Sequence, residues 1–174
     1  IGEPGLKLYI YHFPKMTALD LGLDLIGRLI AAYPGTVVGL KNSSGDWDDI
    51  SAMLEAFPGF HVFAGSEEFL LPTLRLGGPG CMSATVNLLA PQSAELYAKW
   101  QDAGADDLQA RLTELRTTIG QFPPIPAMKA LLARQSGDAG WARVRPPLVA
   151  LDAAQAERLA ADLAAQGLDL PAAA

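Results

Sequence analysis

Lys41 ends the apolar run Val37-Val38-Gly39-Leu40, an address at which a lysine is seldom buried without a partner. Two uses fit. Desolvation lowers an ammonium pKa from its usual ~10.4 and frees an amine that can attack a ketone and form an imine. Alternatively, a strand-end lysine reaches solvent or pairs with Asp46 or Asp48. Three further groups stand at the ends of apolar runs: Tyr11-His12-Phe13-Pro14, Gly65-Ser66-Glu67-Glu68 and Met82-Ser83-Ala84. A tyrosine hydroxyl at such a position can shuttle protons, or its ring can simply pack.

The elements that must position these groups alternate. Leu6–Phe13 reads as a largely buried strand stopped by Pro14, and the spacing of Leu21, Leu25, Leu29 and Ile30 predicts a helix over Ala18–Tyr33. Strands follow over Thr36–Lys41, Phe60–Ala64 and Gly80–Val86, with helices from about Trp47 to Phe57 and from Glu67 to Leu76. Strand and helix in alternation, joined by short loops, predict a parallel sheet with crossover helices. In that architecture functional groups gather at the C-terminal ends of strands, where the four clusters lie.

Beyond Pro91 the pattern is helical over Gln92–Ala103, Asp106–Gly120, Ile125–Gln135 and Ala153–Gln166, with Pro123, Pro124 and Pro126 separating the second from the third. The expected organisation is a β/α region over residues 1–104 and a helical region over 105–174. A doubly wound sheet competes with half a barrel, but no G-x-G-x-x-G loop follows a strand.

Composition narrows the classes. The 174 residues, half of them apolar, suffice for one sizeable core. A net charge of −6 argues against nucleic acid and anionic membrane as partners. Cys81 is the single cysteine, so it forms no internal disulfide, and no Cys/His spacing suggests a metal site. The cytoplasm is the expected compartment. His12 and His61 are isolated in sequence and read as packed or surface residues, and Cys81 reads as a small apolar filler. Ile1 where an initiator Met is usual, with a strand-like run close behind it, suggests that the natural N-terminus is missing.

The string Val38-Gly39-Leu40-Lys41-Asn42-Ser43-Ser44-Gly45-Asp46 resembles the Schiff-base lysine signature of the dihydrodipicolinate synthase and N-acetylneuraminate lyase family. Thirty residues upstream of the lysine, Tyr11-His12-Phe13-Pro14 is similar to that family's Tyr-x-x-Pro motif. Leu76–Ser83 and Val144–Leu148 resemble its Gly-rich entry to the last barrel strand and the segment before its terminal helix. The resemblance implies a (β/α)8 TIM barrel of which these strands are the fifth to eighth. It also implies a lyase acting on pyruvate or a sugar-derived 2-oxo acid, with no cofactor other than the covalent imine on Lys41.

By the same resemblance Tyr11 moves protons at the imine. Ser43, Gly65, Glu67, Met82 and Ser83 face the substrate, and the assembly is a homo-oligomer, a tetramer in the family. For Ser43 a plain turn serine, and for Glu67 a helix-start glutamate, remain the alternatives. The family's carboxylate-binding loop and the rest of its proton relay belong upstream of residue 1, so 1–174 alone is expected to be poorly active. A half barrel would also expose sheet edges that aggregate, dimerise or lean on a partner.

Two positions depart from the family's namesakes. Met16 stands where dihydrodipicolinate synthases carry an Arg for the second carboxylate, and Ala84 where sialic acid lyases use a Ser. Both shift the expectation towards other 2-oxo acids. Dihydrodipicolinate synthase proper, and a non-catalytic barrel fragment serving as a binding or scaffold protein, remain the alternatives. Thr117-Thr118 falls in a helical segment and is not the family's Thr pair.

Overall fold

The computed structural model describes residues 2–3 and 5–168. Three parallel strands, β1 (Leu8–His12), β2 (Val37–Asn42) and β3 (His61–Ala64), form a sheet in sequence order. Helices α2 (Leu23–Ala32) and α3 (Trp47–Ala56) make the crossovers, and a four-residue helix α1 (Pro14–Thr17) follows β1 directly. In register, Tyr11 lies beside Lys41 and Lys41 beside Phe63. Successive side chains alternate across a strand, so Tyr11, Lys41 and Phe63 share one face while Leu40, Asn42, Val62 and Ala64 share the other. The second face is covered. Leu40, Val62 and Ala64 pack with Ile26 of α2 and with Ile50, Met53 and Leu54 of α3 in a closed core.

The first face is open, which corrects the expectation for β1. Tyr9 and Tyr11 are 45–53% exposed because no helix covers that face, and Leu8, at the start of the edge strand β1, is 43% exposed. Tyr9 instead lies across Gly39, where any Cβ would come within 2.6 Å of the His61 carbonyl, and its hydroxyl meets His61 Nδ1 at 2.8 Å.

The helix expected over Ala18–Tyr33 begins at Leu23, after Gly22. Pro14 starts α1, which ends at once where Ala18 turns left-handed (φ 55°). The fourth strand is also corrected. Residues 80–86 contribute a single parallel bridge, Cys81 beside Ala64, with the Ala64 amide donating to the Gly80 carbonyl and the Met82 amide to the Ala64 carbonyl. Gly80, at φ 138°, and Pro79 prevent a longer ladder.

After the 3-10 turn Glu67–Phe69, α4 (Leu70–Arg75) leads to α5 (Val86–Lys99), which kinks at Leu89 ahead of Pro91. The remaining helices are α6 (Ala105–Gly120), α7 (Pro124–Ser136) and α8 (Ala153–Ala165), the last closed by an Asp152–Gln155 capping box. Leu71 of α4, Leu89 and Leu96 of α5, Leu112 and Ile119 of α6, Leu131 of α7 and Leu159 and Leu163 of α8 form one core. That core crosses residue 104, so the helical segment is packed onto the β/α part. Among the described residues no helix is long and apolar enough to cross a membrane.

Candidate active site

The C-terminal ends of β1, β2 and β3 open onto one cavity of about 620 Å³. Lys41, Tyr11, Ser43, Gly65 and Ser83 all line it, so five of the seven expected site residues converge. Their backbones are tied together. The Ser43 amide donates to the His12 carbonyl at 2.7 Å, and the Gly65 amide donates to the Asn42 carbonyl at 2.6 Å. Gly65 is required there, since a Cβ would fall 2.6 Å from that same carbonyl and 2.7 Å from Ser43 Cα.

Lys41 Nζ donates to the Tyr11 hydroxyl at 3.2 Å and lies 4.3 Å from the centre of its ring. Burial pushes the Tyr11 phenol up, but the hydrogen bonds of Lys41 and Ser43 and the charge on Lys41 outweigh it and hold the phenol below its usual range. An amine and a hydroxyl so placed can act on one carbonyl carbon, the first as nucleophile and the second as proton carrier.

Glu67 and Met82 stand elsewhere. The Ser66 hydroxyl caps the 3-10 turn by accepting the Glu68 amide, which turns Glu67 inward to full burial and leaves Glu68 on the cavity wall. Met82 is spent on the bridge to Ala64, and its side chain is outside the wall.

Sequence reasoning missed Arg116 and Thr85 and preferred Glu67 to Glu68. Arg116, Thr85 and Glu68 line the cavity, and Arg116 arrives from α6, a helix whose sequence gives no sign of facing the strands. The isolated residues are accounted for. His12 is buried behind the sheet with Nε2 3.4 Å from Asp49 and 3.7 Å from Asp20, while exposed His61 serves Tyr9. Cys81 has its thiol pushed up to about 12 by burial and by the charge of Glu67, as befits packing rather than attack. Thr118 bonds back to the Glu114 carbonyl within α6. Among the described residues no group of three or more His, Cys, Asp or Glu side chains could hold a metal ion.

Known proteins similar to this chain belong to one family. An uncharacterized DapA-like lyase from Halobacterium salinarum is 32% identical over 92% of this chain and 53% of its own length. The 4-hydroxy-tetrahydrodipicolinate synthase of Thermus thermophilus is 35% identical over 83% and 49%. Among solved structures, dihydrodipicolinate synthase from Agrobacterium tumefaciens superposes with a TM-score of 0.83 at 30% identity, covering 95% of this chain and 55% of that one. A prophage protein of the dihydrodipicolinic acid synthase family from E. coli K12, solved in complex with pyruvate, gives 0.82 at 25%, covering 94% and 57%. The chain thus spans about half the length of the curated relatives it matches, and its fold is the corresponding part of their barrel. The dihydrodipicolinate synthetase family model matches residues 1–166, and the chain belongs to that family.

Proposed function

We propose that the protein is a lyase of pyruvate or a sugar-derived 2-oxo acid that works through an imine on Lys41, and that its three strands and the Cys81 bridge take the places of the fifth to eighth strands of a (β/α)8 barrel. The observation that carries this reading is the Lys41–Tyr11 contact at 3.2 Å inside a cavity at the strand ends. The free amine adds to the keto carbon, and the resulting carbinolamine loses water as Tyr11 gives a proton to the departing hydroxyl. The protonated imine then withdraws electrons, so that loss of a C3 proton, or cleavage of the C3–C4 bond, leaves an enamine. Tyr11 takes up and returns the protons of these steps. No cofactor is needed, because the imine is itself the electron sink.

The same reading carries a cytoplasmic homo-oligomer, a tetramer by family resemblance. Because the chain spans about half of its relatives, turnover is proposed for the full-length protein. Residues 1–174 alone are expected to be weakly active, with β1 at a sheet edge and Leu8, Tyr9 and Tyr11 exposed.

Exchange at pyruvate C3 tests the proposal. Enamine formation in heavy water replaces the methyl protons with deuterium, and proton NMR with the full-length protein should show that signal decaying, with no decay for Lys41→Ala. Exchange no faster than in buffer, from a folded protein, would leave the binding or scaffold role.

A further inference from the structure

Each reacting residue is followed by a buried polar one. His12 comes after Tyr11 and Asn42 after Lys41, and the two are register partners on the core-facing side of the sheet. Asn42 is fully buried and His12 nearly so, on the face that also carries Leu40 and Val62, where apolar residues would meet no desolvation penalty. Asp49, in the first turn of α3, joins the pair. Its Oδ2 accepts from Asn42 Nδ2 at 2.7 Å and lies 3.4 Å from His12 Nε2, and Asp20 Oδ1 comes within 3.7 Å of the same ring nitrogen. His12 Nδ1 is buried with no hydrogen-bond partner, so the ring is held through Nε2 alone.

Asp49 decides how Asn42 lies. The side-chain amide could turn over, but only its NH2 end can face a carboxylate, which leaves Oδ1 to accept the Ser44 amide at 3.0 Å. The turn after the lysine is anchored on both sides: the Asn42 carbonyl accepts the Gly65 amide at 2.6 Å, and the Ser43 amide donates to the His12 carbonyl at 2.7 Å. Ser43 in turn hydrogen-bonds the Tyr11 phenol through its side chain. Asp49 thus reaches both members of the Tyr11–Lys41 pair, through His12 on β1 and Asn42 on β2, although neither His12 nor Asp49 lines the cavity.

We propose that Asp49 is a positioning residue for the imine chemistry, acting through His12 and Asn42 to lock the end of β1 to the turn after β2 and so hold the Tyr11 hydroxyl at Lys41. This inference rests on the imine reading. It adds a group behind the sheet that sets the geometry of the reacting pair without contacting substrate. Its loss acts on the proton transfers of Tyr11 rather than on the capture of pyruvate, because the amine of Lys41 still adds to the keto carbon.

The test compares the full-length protein with Asp49→Ala, Asp49→Asn and, as a gauge of plain destabilisation, Leu131→Ala in the helical core. Three quantities are read: the pyruvate concentration giving half-maximal borohydride trapping at Lys41, the rate of exchange at pyruvate C3, and the pH at which Tyr11 ionises, by ultraviolet difference against the same protein carrying Tyr11→Phe. Asp49→Ala should keep the half-saturating pyruvate within about threefold of wild type while slowing exchange about tenfold to a hundredfold, as for a displaced acid/base group. Its Tyr11 should ionise at higher pH. Asp49→Asn keeps an acceptor for Asn42 and should return both readings close to wild type, and Leu131→Ala should move neither. Asp49→Leu, of similar volume and without an acceptor, replaces Asp49→Ala if that variant does not fold. Exchange and Tyr11 ionisation unchanged on loss of the carboxylate, or shifted equally in Leu131→Ala, would overturn the proposal, as would an Asp49→Asn no better than Asp49→Ala. The Tyr11 titration needs no substrate, so a wild type that forms no pyruvate adduct overturns the imine reading and leaves the titration to decide the positioning by itself.

Discussion

Tyr11 and Lys41 are direct partners in the parallel register of β1 and β2, and the amine reaches the phenolic oxygen at 3.2 Å. Residues in register on adjacent parallel strands project to the same face, so neither needs a loop to find the other. Tyr11→Phe should keep the ring, which stacks on Phe13 with centroids 5.5 Å apart, while removing the proton carrier. Exchange at pyruvate C3 should slow by about 10²–10⁴-fold, the usual contribution of a positioned acid/base group. Circular dichroism of the variant should be unchanged.

The phenol of Tyr11 should titrate below the usual tyrosine value of ~10. Burial opposes this, and the hydrogen bonds of Lys41 and Ser43 with the Lys41 charge override burial. A group whose folded pKa is depressed adds stability above its unfolded pKa, and loses that contribution as the pH falls through the folded pKa. Ultraviolet difference titration of wild type against Tyr11→Phe isolates this phenol. In Lys41→Met its ionisation should move to higher pH.

Much of this was legible in the residues. The alternation of apolar runs with 3.6-periodic stretches marks three strands and the later helices, since period reports which face a segment buries. Strand ends mark Lys41, Tyr11, Gly65 and Ser83 as candidates, because such folds collect their chemistry there, whereas Ser43 and the roles of the others come from the family resemblance. The fourth strand was not found as such: an apolar run beside Gly80 resembles a strand, yet ladder formation depends on backbone angles that Gly80 does not share. Arg116 lies 75 positions beyond Lys41, and only tertiary packing of α6 on α4 and α5 brings it to the cavity. The choice between Glu67 and Glu68 depended on the one-residue phase of a 3-10 turn, which composition does not encode.

Cys81 should resist alkylation in the folded protein. With its thiol pushed up to about 12, only about one molecule in 10⁴ is thiolate at pH 8, and the thiolate is the reactive form. Iodoacetamide labelling followed by mass spectrometry should show slow modification of the native protein and fast modification in denaturant. Rapid native labelling would contradict the burial beside Glu67.

Gly65→Ala should damage the site without touching a reacting group. Its Cβ would press on the Asn42 carbonyl and on Ser43, forcing the ends of β2 and β3 apart. Overpacking of this kind costs about 1–3 kcal/mol, which should appear as a lower midpoint in chemical denaturation. Imine formation should fall with it, because Lys41 belongs to the displaced strand end.

The most direct test is reductive trapping. The full-length protein is incubated with pyruvate, reduced with borohydride, digested and read by peptide mass spectrometry. The expected product is a reduced pyruvyl adduct on the peptide carrying Lys41, with none in Lys41→Ala. A folded protein that yields no adduct, or an adduct on another lysine, would contradict the imine on Lys41.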